Sequence, residues 1–176
     1  VGRKIMIAVT KIIDLLDKPA LVGWANKLGL KGLSLKEYYS QVTNDGNEKH
    51  YEIENYFKHG IEFKGCELLA EKLKDYEVIG VEETITNEFL IGRIDLVLKK
   101  DGLIYVCDFK RNKSIYLKTK LQLSTYKEML NADKICFINS ENFELVEINI
   151  DTLKYYTIVK RLYQIHKLLF ELNERL

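Results

Sequence analysis

The sequence is poor in several features that would each place it in a class. Of its 176 residues only one is proline, Pro19, and no Ser/Gly/Pro-rich stretch marks a linker. There are three cysteines, Cys66, Cys107 and Cys136. An odd number at wide spacing supports neither a disulfide framework nor a CxxC metal site. Cys107 and Cys136 lie in apolar stretches and read as small buried hydrophobes, which suits a reducing compartment. Long apolar runs are missing too. The longest segment free of Asp, Glu, Lys and Arg is Pro19–Asn26, where a membrane-spanning helix needs about 20 residues. No signal-peptide pattern is seen, and the cysteine usage leads to a cytoplasmic location as the expectation. Charge of one sign is not in excess: 27 Lys+Arg against 26 Asp+Glu give a net charge of +1. That argues against a protein that coats polyanions by bulk charge, and it leaves local patches open.

What is present is ordinary for a globular chain, with 47% hydrophobic and 30% charged residues. A chain of this length buries roughly 70% of its unfolded surface and needs no staples. One domain is expected over residues 1–176, with a helical lead-in over 1–75, a sheet core over 76–150 and a terminal helix over 151–176.

The hydrophobic period supports that division. Helices are expected over 9–16, opened by Thr10, over 20–28 after Pro19, over 48–57 and over 61–74. Ser34 and Glu37 form a weak capping box. The period then shortens. Residues 78–86 are rich in Val, Ile and Thr. Residues 89–98 alternate, with Ile91, Arg93, Asp95 and Val97 on one face and Leu90, Gly92, Ile94, Leu96 and Leu98 on the other. Lys100-Asp101-Gly102 signals a hairpin turn into a strand over 103–110. A helix over 117–130, strands over 134–138 and 144–150, and a long helix capped by Asp151 or Thr152 complete the chain. The expected fold is α/β, a central mixed sheet built on an antiparallel three-strand meander and flanked by helices, with an N-terminal helical segment.

The chemistry gathers on the meander. Asp108 and Lys110 stand two apart on one strand, so their side chains leave the same face. Asp95 lies on the next strand of the hairpin, and hairpin strands are about 5 Å apart; if it shares that face, two carboxylates converge beside the lysine. Taken alone, Asp95 and Lys110 read as a cross-strand ion pair on a solvated face. Their surroundings point elsewhere: Asp108 follows Ile104-Tyr105-Val106-Cys107, and Asp95 is bracketed by Ile94 and Leu96. Two carboxylates in such apolar strands repel and are costly unless a cation neutralises them. Oxygen donors select Mg2+, Mn2+ or Ca2+ over zinc. Lys110 would orient an attacking water or stabilise phosphate charge.

Other residues extend the pattern. His50 lies in an expected helix, Gly92-Arg93-Ile94-Asp95 precedes Asp108-Phe109-Lys110 at hairpin distance, and Gln122 and Tyr126 share a helix face at i,i+4. In this order they resemble the RecB-like branch of the PD-(D/E)xK nuclease superfamily, whose pattern is a helical His, Gly-x-x-Asp, Asp/Glu-x-Lys and Gln-x-x-x-Tyr. The segment from Val9 to Ala25 is similar to the lead-in of small phage and mitochondrial relatives. The resemblance implies a restriction-endonuclease-like core and a metal-dependent DNA exonuclease. It implies Asp95, Asp108, His50 and the Phe109 carbonyl as ligands of Mg2+ or Mn2+. Lys110 would position the nucleophilic water, while Gln122 and Tyr126 support the site or touch DNA. An acidic residue is also expected on the first strand, Glu82 or Glu83. Some relatives carry a four-cysteine iron–sulfur cluster, and three scattered cysteines cannot supply one.

Basic residues follow the motif: Lys110, Arg111, Lys113, Lys118 and Lys120, with Arg93 one strand away. Such a patch would draw the phosphates of single- or double-stranded linear DNA. Trp24, Tyr38 and Tyr39 are further candidates for guiding a strand. A restriction-like endonuclease and a catalytically silent DNA-binding module are the alternatives on the same fold. A helicase or recombination protein would be the expected partner, and no membrane is expected.

Overall fold

The structure is a computed structural model. It describes residues 6–16, 25–26, 29–30, 32, 34, 48–111 and 115–173. The chain divides into two compact units, Leu16–Lys64 and a unit made of Val1–Leu15 with Gly65–Leu176.

In the first unit the described helix runs over 48–59 (α2). Its surface carries helical ion pairs, Lys49 with Glu52 at 3.0 Å and Lys58 with Glu54 at 2.9 Å. Lys49 also lies over the Phe63 ring at 4.3 Å. The expected helix over 20–28, the Ser34–Glu37 box, Trp24, Tyr38 and Tyr39 fall wholly or mainly outside the described residues.

The second unit opens with strand β1, Ile7–Ala8, and helix α1, Val9–Ile13. Helix α3 covers Cys66–Leu73. The expected helix over 61–74 is shorter, because Gly65 sits before it at φ 106°, a left-handed backbone that closes the helix at its N-terminal side. Thr10 does not cap α1; Ala8 holds that position with no side-chain bond.

The meander forms as its alternation predicts. Strands β2 (Glu77–Thr86), β3 (Leu90–Lys100) and β4 (Leu103–Lys110) pair antiparallel in succession. The β3–β4 turn is Asp101-Gly102, both with positive φ (52° and 80°), the geometry of a two-residue hairpin that follows the twist of the strands. Asn87 shapes the β2–β3 turn: its Oδ1 accepts the N–H groups of Phe89 and Leu90 at 3.0 and 2.8 Å.

After β4 the chain forms helix α4, Leu117–Leu130, within the expected bounds, and ends it on Asn131 at φ 54°. Strand β5, Lys134–Asn139, then lies parallel to β4, and β6, Leu145–Glu147, lies antiparallel to β5. Strand β6 is shorter than the 144–150 expected. Helix α5, Thr152–Asn173, closes the chain, with Asp151 accepting the Lys154 N–H at 3.2 Å as its cap. Helix α4 packs against both α5 and α1.

One strand organises the sheet. An edge of β3 can hold only one partner at a time. Strand β2 takes one edge along Ile91–Lys99. The other edge is shared: β4 pairs over Leu96–Lys100, and β1 pairs parallel at Leu90 and Ile91. Between those two pairings, at residues 92–95, β3 and β4 have parted. The core beneath is apolar and closed, with Ile94, Leu96, Leu98, Val106, Cys107, Leu121, Ile135 and Cys136 all at 0–1% exposure. Cys107 and Cys136 are direct partners in the β4–β5 register.

Gly102→Ala places a Cβ on a left-handed backbone. The substitution is expected to cost about 1–2 kcal/mol, read as a lower urea midpoint with an unchanged m-value.

Candidate active site

The split between β3 and β4 is where the acidic residues gather. The last paired residues are Leu96 and Cys107. Extending that register sets Asp95 opposite Asp108. The strands have separated there, so the Phe109 N–H finds no β3 carbonyl. It donates instead to Asp95 Oδ2 at 2.9 Å. The N–H and C=O of an extended residue leave the strand on the same side. The Phe109 carbonyl therefore faces the β3 side too.

Asp108 is buried at 4% exposure and has help on both oxygens. Gln122 Nε2 donates to Oδ1 at 3.3 Å, and Lys110 Nζ lies 2.6 Å from Oδ2. Gln122 reaches it from α4, and one turn on, Tyr126 adds its hydroxyl at 3.5 Å from the same Nε2. The i,i+4 spacing thus sets both side chains at the site. Tyr126 is buried at 3% exposure. Burial pushes its phenol up to about 12, against the pull of hydrogen bonds from the Arg93 backbone and Gln122. It stays protonated at neutral pH.

Gly92 is explained by the same tyrosine. A Cβ at position 92 would collide with the Tyr126 ring, so the ring lies directly on the β3 backbone. The Gly-x-x-Asp spacing gives β3 a flat seat for the tyrosine and, three residues on, the carboxylate.

The first strand contributes a residue that the sequence leaves as one of two. The pairs Val81–Leu96 and Glu83–Ile94 set Glu82 opposite Asp95. The Glu82 side chain is 9% exposed, and Glu83 is exposed. Glu82 has φ 52°, rare for a residue with a long side chain, a backbone held in place by its neighbours. Its carboxylate lies 2.7 Å from Arg93 Nε.

Asp95 therefore has Glu82 on one side, across the β2–β3 ladder, and Asp108 with Lys110 on the other, across the split. Burial raises the Asp95 carboxyl well above its ordinary range. The charge of Asp108 raises it further and Glu82 adds to this, while the Phe109 N–H and Lys110 pull it down. Crowded oxygen donors in a half-buried place are what a hard divalent cation relieves. Asp95, Asp108 and Glu82 are the residues of this unit that could hold one. His50 lies on α2, in the other unit.

The basic residues have acidic neighbours. Arg111 pairs with Glu141 at 3.1 Å and Lys118 with Asp14 at 2.9 Å. Lys120 is half-buried on α4, and Lys113 lies outside the described residues. The Arg111 carbonyl accepts from Asn139 Nδ2 at 3.3 Å, and the Lys110 carbonyl from the Ser140 N–H at 3.0 Å. The start of the basic loop is thus tied to the end of β5.

This site defines a class, and comparison with known proteins agrees. The chain belongs to the PD-(D/E)XK nuclease superfamily, whose sequence profile matches residues 33–168, more than half of its length. Nucleases of this superfamily use divalent metal ions, and the oxygen donors at the split fit one. No curated protein sequence matches the chain. Among solved structures, the crystal structure of SSO0001 is similar with a TM-score of 0.47 at 18% identity, covering 94% of this chain and 78% of that one. A phage-related exonuclease from Haemophilus somnus 129PT has a TM-score of 0.39 at 13% identity, covering 96% and 97%. No helix among the described residues is long and apolar enough to cross a membrane.

The raised Asp95 carboxyl has a defined effect on stability. Between the unfolded and folded values the folded protein holds a proton that the unfolded chain releases, so stability falls as pH rises through that window. Without metal, Asp95→Asn is expected to melt at a higher temperature than wild type at pH 7. The difference should shrink as pH falls toward about 4, where the unfolded carboxyl also takes up its proton. Thermal melts across pH in chelator check this; equal melting temperatures at pH 7 would contradict it.

Proposed function

We propose that the chain is a Mg2+- or Mn2+-dependent deoxyribonuclease that degrades linear DNA from its ends, in phage or mobile-element recombination, repair or DNA degradation. The observation that carries the reading is Asp95 flanked by Glu82 across one ladder and by Asp108, with Lys110 alongside, across the β3–β4 split. The exonuclease part is supported by the order of His50, Gly92–Asp95, Asp108–Lys110 and Gln122–Tyr126, which resembles RecB-like enzymes.

In this reading Asp95, Asp108, Glu82 and the Phe109 carbonyl would hold the metal, with His50 as the further ligand that the resemblance implies. A bound divalent ion supplies Lewis-acid stabilisation of the phosphate and lowers the pKa of a coordinated water. The chain's own groups do the rest. The Phe109 N–H and the Gln122 amide fix the two aspartates, so little reorganisation is left for the reaction. The Lys110 ammonium stands beside Asp108, where it orients the attacking water and offsets charge developing on the phosphate. Tyr126, kept protonated, serves only as a hydrogen-bonding support. Arg93, Arg111, Lys113, Lys118 and Lys120 contact the DNA backbone. The exposed pairs of Arg111 and Lys118 are weak enough to be exchanged for phosphates. The protein works in the cytoplasm, with a helicase or recombination protein as its partner.

The test uses linear and covalently closed circular DNA with Mg2+ or Mn2+. Linear DNA is expected to be degraded and the circle left intact. Asp108→Ala and Lys110→Ala should each slow degradation by about 100-fold or more. Cleavage of the circle would indicate an endonuclease. Wild-type rates in both variants would overturn the site, and DNA binding with no cleavage under any divalent metal would indicate a silent binding module.

A further inference from the structure

Two of the clustered carboxylates already have a cation from the chain. Lys110 Nζ stands 2.6 Å from Asp108, and Arg93 Nε stands 2.7 Å from Glu82. The second pair is lopsided. The Glu82 side chain is 9% exposed and the Arg93 side chain 71%. The cost of burial falls on the glutamate, which gains from a positive neighbour, while the guanidinium keeps most of its water. The register explains the placement. Thr84 pairs with Arg93, so Glu82 is the diagonal neighbour of Arg93 across the β2–β3 ladder. Arg93 also lies on the same face of β3 as Asp95. It stands at the solvent-facing rim of the acidic cluster.

We propose that Arg93 is a resident counter-ion for Glu82, that a divalent cation displaces it, and that the released guanidinium then binds a phosphate of the DNA. The inference rests on the metal-nuclease reading above. A carboxylate whose charge is taken up by a divalent ion no longer holds a guanidinium, and the two cations repel at short range. An ion pair with one partner in solvent is weak, so Arg93 leaves at small cost. Its planar fork fits phosphate oxygens bidentately, better than it fits a single glutamate oxygen through Nε. Metal and DNA then bind with positive coupling, which works equally in both directions. Arg93 therefore opposes metal binding in the free protein and supports DNA binding in the loaded one.

Those opposite signs make the inference testable apart from catalysis. Mn2+ binding to the full chain without DNA is measured by calorimetry. Binding of a labelled oligonucleotide duplex is measured by anisotropy, with Ca2+ and with chelator. Arg93→Gln is expected to bind Mn2+ about threefold or more tighter than wild type, and to lose most of the gain in DNA affinity that Ca2+ gives wild type. Arg93→Lys keeps a cation beside Glu82 and should bind Mn2+ as wild type does. Both variants are expected to be folded by circular dichroism, since the Arg93 side chain is exposed. Unchanged or weaker Mn2+ binding by Arg93→Gln, with wild type binding normally, overturns this inference and leaves the metal site standing. Absence of Mn2+ binding in wild type and variants alike overturns both.

Discussion

The hydrogen bond from the Phe109 N–H to Asp95 governs this site. Where β3 and β4 separate, the backbone of β4 loses the partner that an antiparallel ladder would supply. A backbone N–H stranded in that position is costly. Supplying a carboxylate oxygen instead of a carbonyl lets the strands part while the donor stays satisfied. It also ties one acidic side chain to the strand that carries the next, Asp108, and to the peptide just before Lys110. Strand separation, carboxylate placement and the orientation of the lysine strand therefore depend on one another. β1 fits the same scheme, since it pairs with the same edge of β3 at Leu90 and Ile91, beyond the parted stretch.

The arrangement is held against its own electrostatics. Glu82, Asp95 and Asp108 crowd together in a place that water only partly reaches, and Glu82 does so on a left-handed backbone. Such a cluster persists because the surrounding structure determines it more strongly than the repulsion disrupts it. Gln122 and Lys110 fasten Asp108, Arg93 neutralises Glu82, and the Phe109 N–H serves Asp95. Behind them lies a sheet with fully buried side chains on adjacent strands, able to carry the local strain. The ladder hydrogen bonds absent at the split are the counterpart of the carboxylates placed there.

Much of this could be read from the amino-acid order because it is local. The meander follows from strict alternation and from Asp101-Gly102, a turn with few alternatives. Asp108 and Lys110 share a face by parity. Gln122 and Tyr126 reach the site together because four residues make about one helical turn. Local sequence does not separate Glu82 from Glu83. The choice depends on the β2–β3 register, and that register is set by Asn87, whose side chain takes two N–H groups in a turn with no Gly or Pro signal. Counting outward from that turn would have set Glu82 opposite Asp95. The left-handed backbone at Glu82 has no sequence signal, since it results from packing. The partners of the basic residues are also invisible locally. Lys118 pairs with Asp14 and Arg111 with Glu141, contacts that only the assembled fold creates. The shortened α3 shows propensity yielding to a single backbone position, Gly65.

Gly92 and Tyr126 carry a consequence for how sequences of this fold can diverge. The ring rests on backbone that has no Cβ, so position 92 cannot gain a side chain while Tyr126 is unchanged. A larger residue at 92 requires a smaller one at 126, and a shrunken residue at 126 removes the reason for glycine at 92. The two are one epistatic unit joining a strand to a helix more than thirty residues downstream. Because Tyr126 is itself coupled through Gln122 to Asp108, that unit extends to the acidic cluster. Drift at a glycine with no chemistry of its own is thereby limited by the tolerance of the carboxylate site.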